Sequence, residues 1–175
     1  ELIPAINNGL EEFSANLTKL RKADFYFNMA AVCFGDDKHS LALKWLNKLL
    51  NDIQIEETQD IYCFAKILDL IVHIELKNTD LIPYALKSTE RYLKSRNRVY
   101  KFEEAFLNFF SAALKTSAGI YNMKNYKELY EKIAPLQDDR FEKTVFEYFD
   151  FISWVESKIR KKSFVLIIKN KLNNT

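Results

Sequence analysis

Residues 25–50, FYFNMAAVCFGDDKHSLALKWLNKLL, decide how the chain reads. The first ten form a helix pattern with two small residues, Ala30 and Ala31, near its middle, a surface that another helix can approach closely. Gly35-Asp36-Asp37 makes a turn, with Gly35 placed to end the helix in the left-handed conformation. Beyond it, Leu41, Ala42, Trp45, Leu46, Leu49 and Leu50 make one apolar face, interrupted by Lys44, Asn47 and Lys48. The stretch is a helical hairpin, and the rest of the chain reads as variations on it.

Composition points the same way. Three glycines and three prolines in 175 residues are too few for many short strands joined by turns, which favours an all-α fold. Apolar residues at 48% and charged residues at 29% exclude a disordered chain. A chain of this length is one domain, able to bury roughly 70% of its unfolded surface. No apolar run approaches the ~18 residues of a transmembrane segment, and Phe164–Ile168 is far too short. Cys33 and Cys63 stand on apolar helix patterns without CxxC spacing and read as buried free thiols, with a single disulfide between them as the alternative. The chain starts at Glu1 without a methionine, as a trimmed or mature fragment would, and cytoplasmic placement is the expectation.

Outward from the hairpin, Leu2, Ile6, Leu10, Phe13, Leu17 and Leu20 form an amphipathic stripe with Pro4 in its first turn, a leading helix within residues 1–22. Glu57 or Thr58 opens a helix through Ile61, Phe64, Leu68 and Ile74 to near Asn78. Thr79 or Asp80 caps the next, with Pro83 near its start. Helices over Phe102–Leu114 and Lys124–Ala134 follow. Asp138 or Asp139 then caps one long helix through Phe141, Val145, Phe149, Ile152, Val155 and Ile159, and Ser163 caps a last one, Phe164–Leu172. That makes about nine helices. Gly35, Asn78 and Gly119 lie 43 and 41 residues apart, and one more such step reaches Lys161. Four hairpin units, 23–54, 57–97, 100–136 and 138–173, with a period near 42, are therefore expected after the leading helix.

Tyr26, Met29, Ala30 and Cys33 resemble the aromatic, large, small, aromatic series in the first helix of a tetratricopeptide repeat. Ala42, Leu46 and Leu49 resemble the small, large and small positions of the second helix. The resemblance is clearest over residues 24–53. In the later units the small position is taken by His73, Leu114 and Glu156, and the period exceeds the family's ~34 residues, which leaves HEAT-like stacking as the alternative. It implies a right-handed superhelix of stacked antiparallel hairpins whose first helices line a concave groove. Carried forward, the register of Phe27, Ala31 and Phe34 gives Leu70, Ile74 and Lys77, then Ser111, Lys115 and Ala118, then Ser153, Ser157 and Arg160. Asn108 and Asp150 flank this lining as Asp24 does. Such a groove is apolar at one end and cationic at the other through Lys77, Lys115 and Arg160, and suits a protein or peptide with an acidic or free-carboxylate end.

Charge is unevenly spread. Residues 87–101 carry Lys87, Arg91, Lys94, Arg96, Arg98 and Lys101 against Glu90, and residues 156–171 carry Lys158, Arg160, Lys161, Lys162, Lys169 and Lys171 against Glu156. The whole chain is only +2. Tyr92 and Tyr100 interleave the first stretch, so a nucleic-acid surface using Arg91, Lys94, Arg96, Arg98, Lys161 and Lys162 is the second reading. A scaffold or sensor part of a longer regulator is the third.

Chemistry-bearing patterns are few. His73 reads as a core or groove residue, and His39 as part of a solvated turn beside Asp36 and Asp37. No phosphate-cradling glycine loop, HExxH or nucleophile elbow is present. The pairs Glu56-Glu57, Glu103-Glu104 and Asp138-Asp139 sit at helix starts, where they favour the helix dipole. No catalytic residue, metal or cofactor is expected. Phe146, Tyr148, Phe149, Phe151 and Trp154 cannot share one face of a single helix, so part of that cluster must meet another element or lie exposed.

Overall fold

Thr18 sets where the first helix starts. Its hydroxyl accepts a hydrogen bond from the Arg21 amide at 3.3 Å, and α1 runs unbroken over Lys19–Gly35. The boundary expected at residues 22–23 therefore moves back to Thr18, because nothing from Leu20 to Phe25 can end a helix. The computed structural model describes residues 17–52, 59–96, 99–115 and 119–173. The stripe from Leu2 to Phe13, the cap at Glu57 or Thr58, Arg98 and Ala118 lie outside them.

The chain continues through α2 (His39–Asp52), α3 (Gln59–Glu75), α4 (Ile82–Ser95) and α5 (Lys101–Lys115). Then come α6 (Met123–Ile133), α7 (Thr144–Tyr148), α8 (Phe151–Arg160) and α9 (Phe164–Leu172), with single 3-10 turns at Gly119–Tyr121 and Ala134–Asp138. The fold is all-α, with no strand among the described residues. Helix α1 packs on α2, α3 on α4 and α5 on α6, and the alternate helices α1, α3 and α5 are also neighbours. Helix α4 starts without the expected Thr79 or Asp80 cap: its N-cap is Leu81, and Pro83 presets the first turn.

The helix ends differ from expectation in an instructive way. Gly35 is the last right-handed residue of α1, and Asp37 takes the left-handed conformation, with φ 54°. The Lys38 amide donates to Cys33 O at 2.9 Å and the Asp37 amide to Phe34 O at 3.1 Å, which closes the helix end. The end of α3 repeats this, with the Asn78 amide on His73 O at 2.9 Å and Lys77, not Asn78, left-handed at φ 58°. Asn78 instead places its side-chain amide 3.2 Å from His73 Nδ1. Lys161 does the same after α8 at φ 53°, where the Lys162 amide reaches Ser157 O at 3.0 Å. With Gly119 at φ 60°, the left-handed residues among those described are 37, 77, 119 and 161, in steps of 40, 42 and 42.

The long helix expected from Asp138 or Asp139 to Ile159 is broken. Asp139 Oδ1 accepts from the Phe141 amide at 2.9 Å and closes a turn, and Phe149 is extended at φ −156°. Asp150 then restarts the chain as α8, accepting from the Ser153 amide at 2.8 Å and its hydroxyl at 2.6 Å. The interruption delivers the Glu142 carboxylate to the start of α5, where it accepts from the amides of Lys101 at 2.8 Å and Phe102 at 3.2 Å. It also turns the aromatic cluster inward onto several helices at once. Tyr148 meets Phe27 and Phe64, Phe149 meets Phe34 and Phe164, and Phe146 meets Phe102. Phe151 meets Phe102 and Phe106, and Trp154 meets Phe106, Phe109 and Tyr126. Residues 146–164 thus cover the common face of α1, α3 and α5. Each such ring pair adds about 0.5–1.5 kcal/mol beyond the area it buries.

Candidate functional site: a basic cleft between α3, α6 and α8

Covering that face changes the groove read from the sequence. Phe27 and Phe34 are buried beneath Tyr148, Phe149 and Phe164, so they are core and not lining. Ser157 is buried as well, its hydroxyl donating to Trp154 O at 2.6 Å. Asn108 and Lys115 are exposed on α5 but border neither of the two clefts described below. Of the seven groove positions, Lys77 and Arg160 reach an open concavity, and each reaches a different one.

The larger cleft, about 340 Å³, opens where α3 ends, α6 begins and α8 ends. Ile74, Tyr121, Met123 and Tyr126 supply its apolar wall, and Glu75, Lys77, Lys158 and Lys161 its charge. Local chemistry explains how two of those lysines come to be there. Lys77 and Lys161 are the left-handed residues that close α3 and α8, a conformation that costs a non-glycine residue about 1–2 kcal/mol. Both are exposed, and neither makes an ion pair among the described residues. The terminal carbonyls that would draw their ammonium groups back are already satisfied by the Asn78 and Lys162 amides.

Glu75 is held from several sides. Lys158 Nζ donates to its Oε2 at 2.6 Å, Trp154 Nε1 donates to its Oε1 at 2.6 Å, and His39 Nε2 lies 3.9 Å from Oε2. His39 is not the solvated turn residue expected: its ring stacks on Phe34 at 4.8 Å, because the turn after α1 folds it back over the helix. Burial pushes the His39 pKa down, against Glu75 and Asp37, which push it up. Neutral His39 leaves Lys158 as the main counter-charge of Glu75. Tyr126, 3% exposed, packs its ring on Phe109 and Trp154, and its hydroxyl has no hydrogen-bond partner among the described residues. Burial, then Glu75 and Tyr121, raise the pKa of that hydroxyl well above its ordinary value, so it remains a neutral donor.

A second cleft, about 280 Å³, lies between α6 and α8 and is lined by Lys127, Tyr130, Glu131, Glu156, Ile159 and Arg160. Here Arg160 Nη2 donates to Glu156 Oε1 at 3.0 Å, and Lys171 Nζ lies 3.3 Å from Glu156 Oε2. Of the second-reading residues, Arg91 and Lys94 are exposed on α4. Arg96 lies 5.7 Å from the ring of Tyr92, which also meets Tyr62 at 4.7 Å and Lys66 at 5.9 Å. That ring is already taken. Lys162 is exposed beyond α8, Lys161 lines the larger cleft, and Arg98 lies outside the described residues.

No helix among the described residues is long and apolar enough to cross a membrane. No protein-family model, curated protein or solved structure matches the chain.

Proposed function

We propose that this is a non-enzymatic, tetratricopeptide-like scaffold that binds an acidic segment of a protein or peptide, with the larger cleft as its contact. The observation that carries the reading is the charge of that cleft. Three lysines face one carboxylate over an apolar wall, and Lys77 and Lys161 keep their charge unpaired. Pairing of successive helices, and left-handed residues in steps of 40, 42 and 42, three of them closing helices, support a repeated hairpin unit. A charge-assisted contact to a carboxylate or phosphate is about twice as strong as a neutral hydrogen bond, and it supplies specificity for an acidic partner.

Selection from a displayed library of peptides with free carboxyl ends tests this. The chain should enrich acidic peptides, and the Lys77→Glu/Lys161→Glu variant should not. Equal enrichment by both, or none by either, rejects the proposal.

A further inference from the structure

The two excess positive charges of the larger cleft carry more information than its sign. Lys77, Lys158 and Lys161 stand against Glu75 alone, a match for a dianion and one charge too many for a carboxylate. A phosphate monoester carries about −1.5 to −2 at neutral pH and presents three acceptor oxygens. The donors also have the character such a group needs. Lysine binds phosphate as a compact point charge, without the fixed geometry of an arginine fork. Met123, on the wall, is the first residue of the eleven-residue helix α6, so a helix N-terminus adds partial positive charge.

An independent observation is Tyr126. Its hydroxyl is shielded from water and unpartnered, although buried polar groups are normally paired. Tyr126 lines the cleft together with Glu75 and Tyr121. An unpartnered donor on a residue of the same cleft as two unpaired lysines suits a ligand with several acceptor oxygens.

We propose that the cleft binds a phosphate monoester, with Lys77 and Lys161 supplying unpaired charge and Tyr126 a hydrogen bond. This rests on the acidic-ligand reading above and narrows the class of ligand. Lys158 stays on Glu75 and holds the wall in place.

Calorimetry tests it with a heptapeptide carrying a central phosphoserine, the same peptide with glutamate or serine there, and phenyl phosphate. The phosphoserine peptide should bind at least about 10-fold more tightly than the glutamate peptide, a difference of about 1.4 kcal/mol. Lys77→Gly/Lys161→Gly should abolish that preference without lowering the melting temperature, because glycine accepts both left-handed positions. Tyr126→Phe keeps the ring packing and should lose about 3- to 10-fold. Phenyl phosphate binding as tightly as the phosphopeptide would support the site with a small phosphate as its source, and tighter phosphopeptide binding would support a protein source. Equal affinity for the phosphoserine and glutamate peptides would overturn the phosphate inference and leave the acidic-ligand reading standing. Binding of no probe, or binding unchanged in the double glycine variant, would overturn both.

Discussion

Two clefts of similar size flank the same pair of helices, α6 and α8, and differ in charge. The cleft at Arg160 has two cations and two carboxylates along its wall, and its arginine is bonded to Glu156. The cleft at Lys77 has three cations against one carboxylate, and two of the three make no ion pair among the described residues. Shape does not separate them, since their volumes are about 280 and 340 Å³. The difference comes from where the cations sit on their helices. Arg160 lies inside the last turn of α8, four residues after Glu156, where an intrahelical pair forms. Lys161, one residue later, has left the helix for a left-handed conformation that offers no such partner.

Reversing the cations tests that contrast most strongly. Lys77→Glu/Lys161→Glu should weaken binding of an acidic peptide by about 100-fold or more, since it removes two attractions and adds two repulsions. Lys127→Glu/Arg160→Glu should change it by less than about 2-fold. Titration of both variants with one peptide decides the matter, and equal losses would mean that the clefts are not distinct.

Glu75→Gln comes next, because its effects on folding and binding have opposite signs. The substitution takes the charge from contacts to Lys158 and Trp154, where a hydrogen bond to a charged group contributes about 1.5–3 kcal/mol. Stability should fall by up to about that amount in urea unfolding, while affinity for an anion rises because the cleft gains net positive charge. A fall in both would show that Glu75 shapes the site more than it charges it.

How much of this was legible in the sequence follows from which forces decide each part. The all-α fold and the extents of α2, α5, α6 and α9 were readable, because periodic apolar faces and Ser163 as a cap are local signals. The break before α8 was not. Apolar spacing runs on through Val145, Phe149 and Ile152, and what stops the helix is the Asp150 side chain competing for the Ser153 amide. Lys77 and Lys161 were both singled out, but in separate groups, one for a groove and one for a basic patch. Glu75 carries no signal in the sequence and Tyr126 reads only as part of an apolar helix face, since only tertiary packing brings positions 75, 77, 126, 158 and 161 to one wall. Phe27 and Phe34 fell on the face shared by α1, α3 and α5, yet residues 146–164 bury that face, and nothing local in α1 announces its cover.

The left-handed ends sharpen the comparison at a smaller scale. Asp37→Gly and Lys77→Gly both relieve a non-glycine residue at positive φ, so each should leave stability unchanged or raise it by up to about 1 kcal/mol. Only Lys77→Gly should weaken anion binding, because Asp37 does not border the cleft. Parallel binding losses in the two would place the effect in the backbone and not in the lysine charge.

The smallest expected effect is a pH dependence through His39, which touches the larger cleft by way of Glu75; no histidine lines the other. Burial against Phe34 lowers the His39 pKa from its ordinary value near 6.5, and Lys158 lowers it further against the pull of Glu75 and Asp37. The folded state thus binds a proton less readily than the unfolded state. The stability this represents is fully present above pH 6.5 and is lost as pH falls from there through the folded value. His39→Gln should therefore show a smaller drop in melting temperature between pH 7.5 and 5.5 than the parent chain. Groups common to both, including Asp69, whose buried carboxyl is shifted up, cancel in that difference. A parallel drop would mean that His39 is as easily protonated folded as unfolded, and Glu75 would then be held from the histidine side as well as by Lys158.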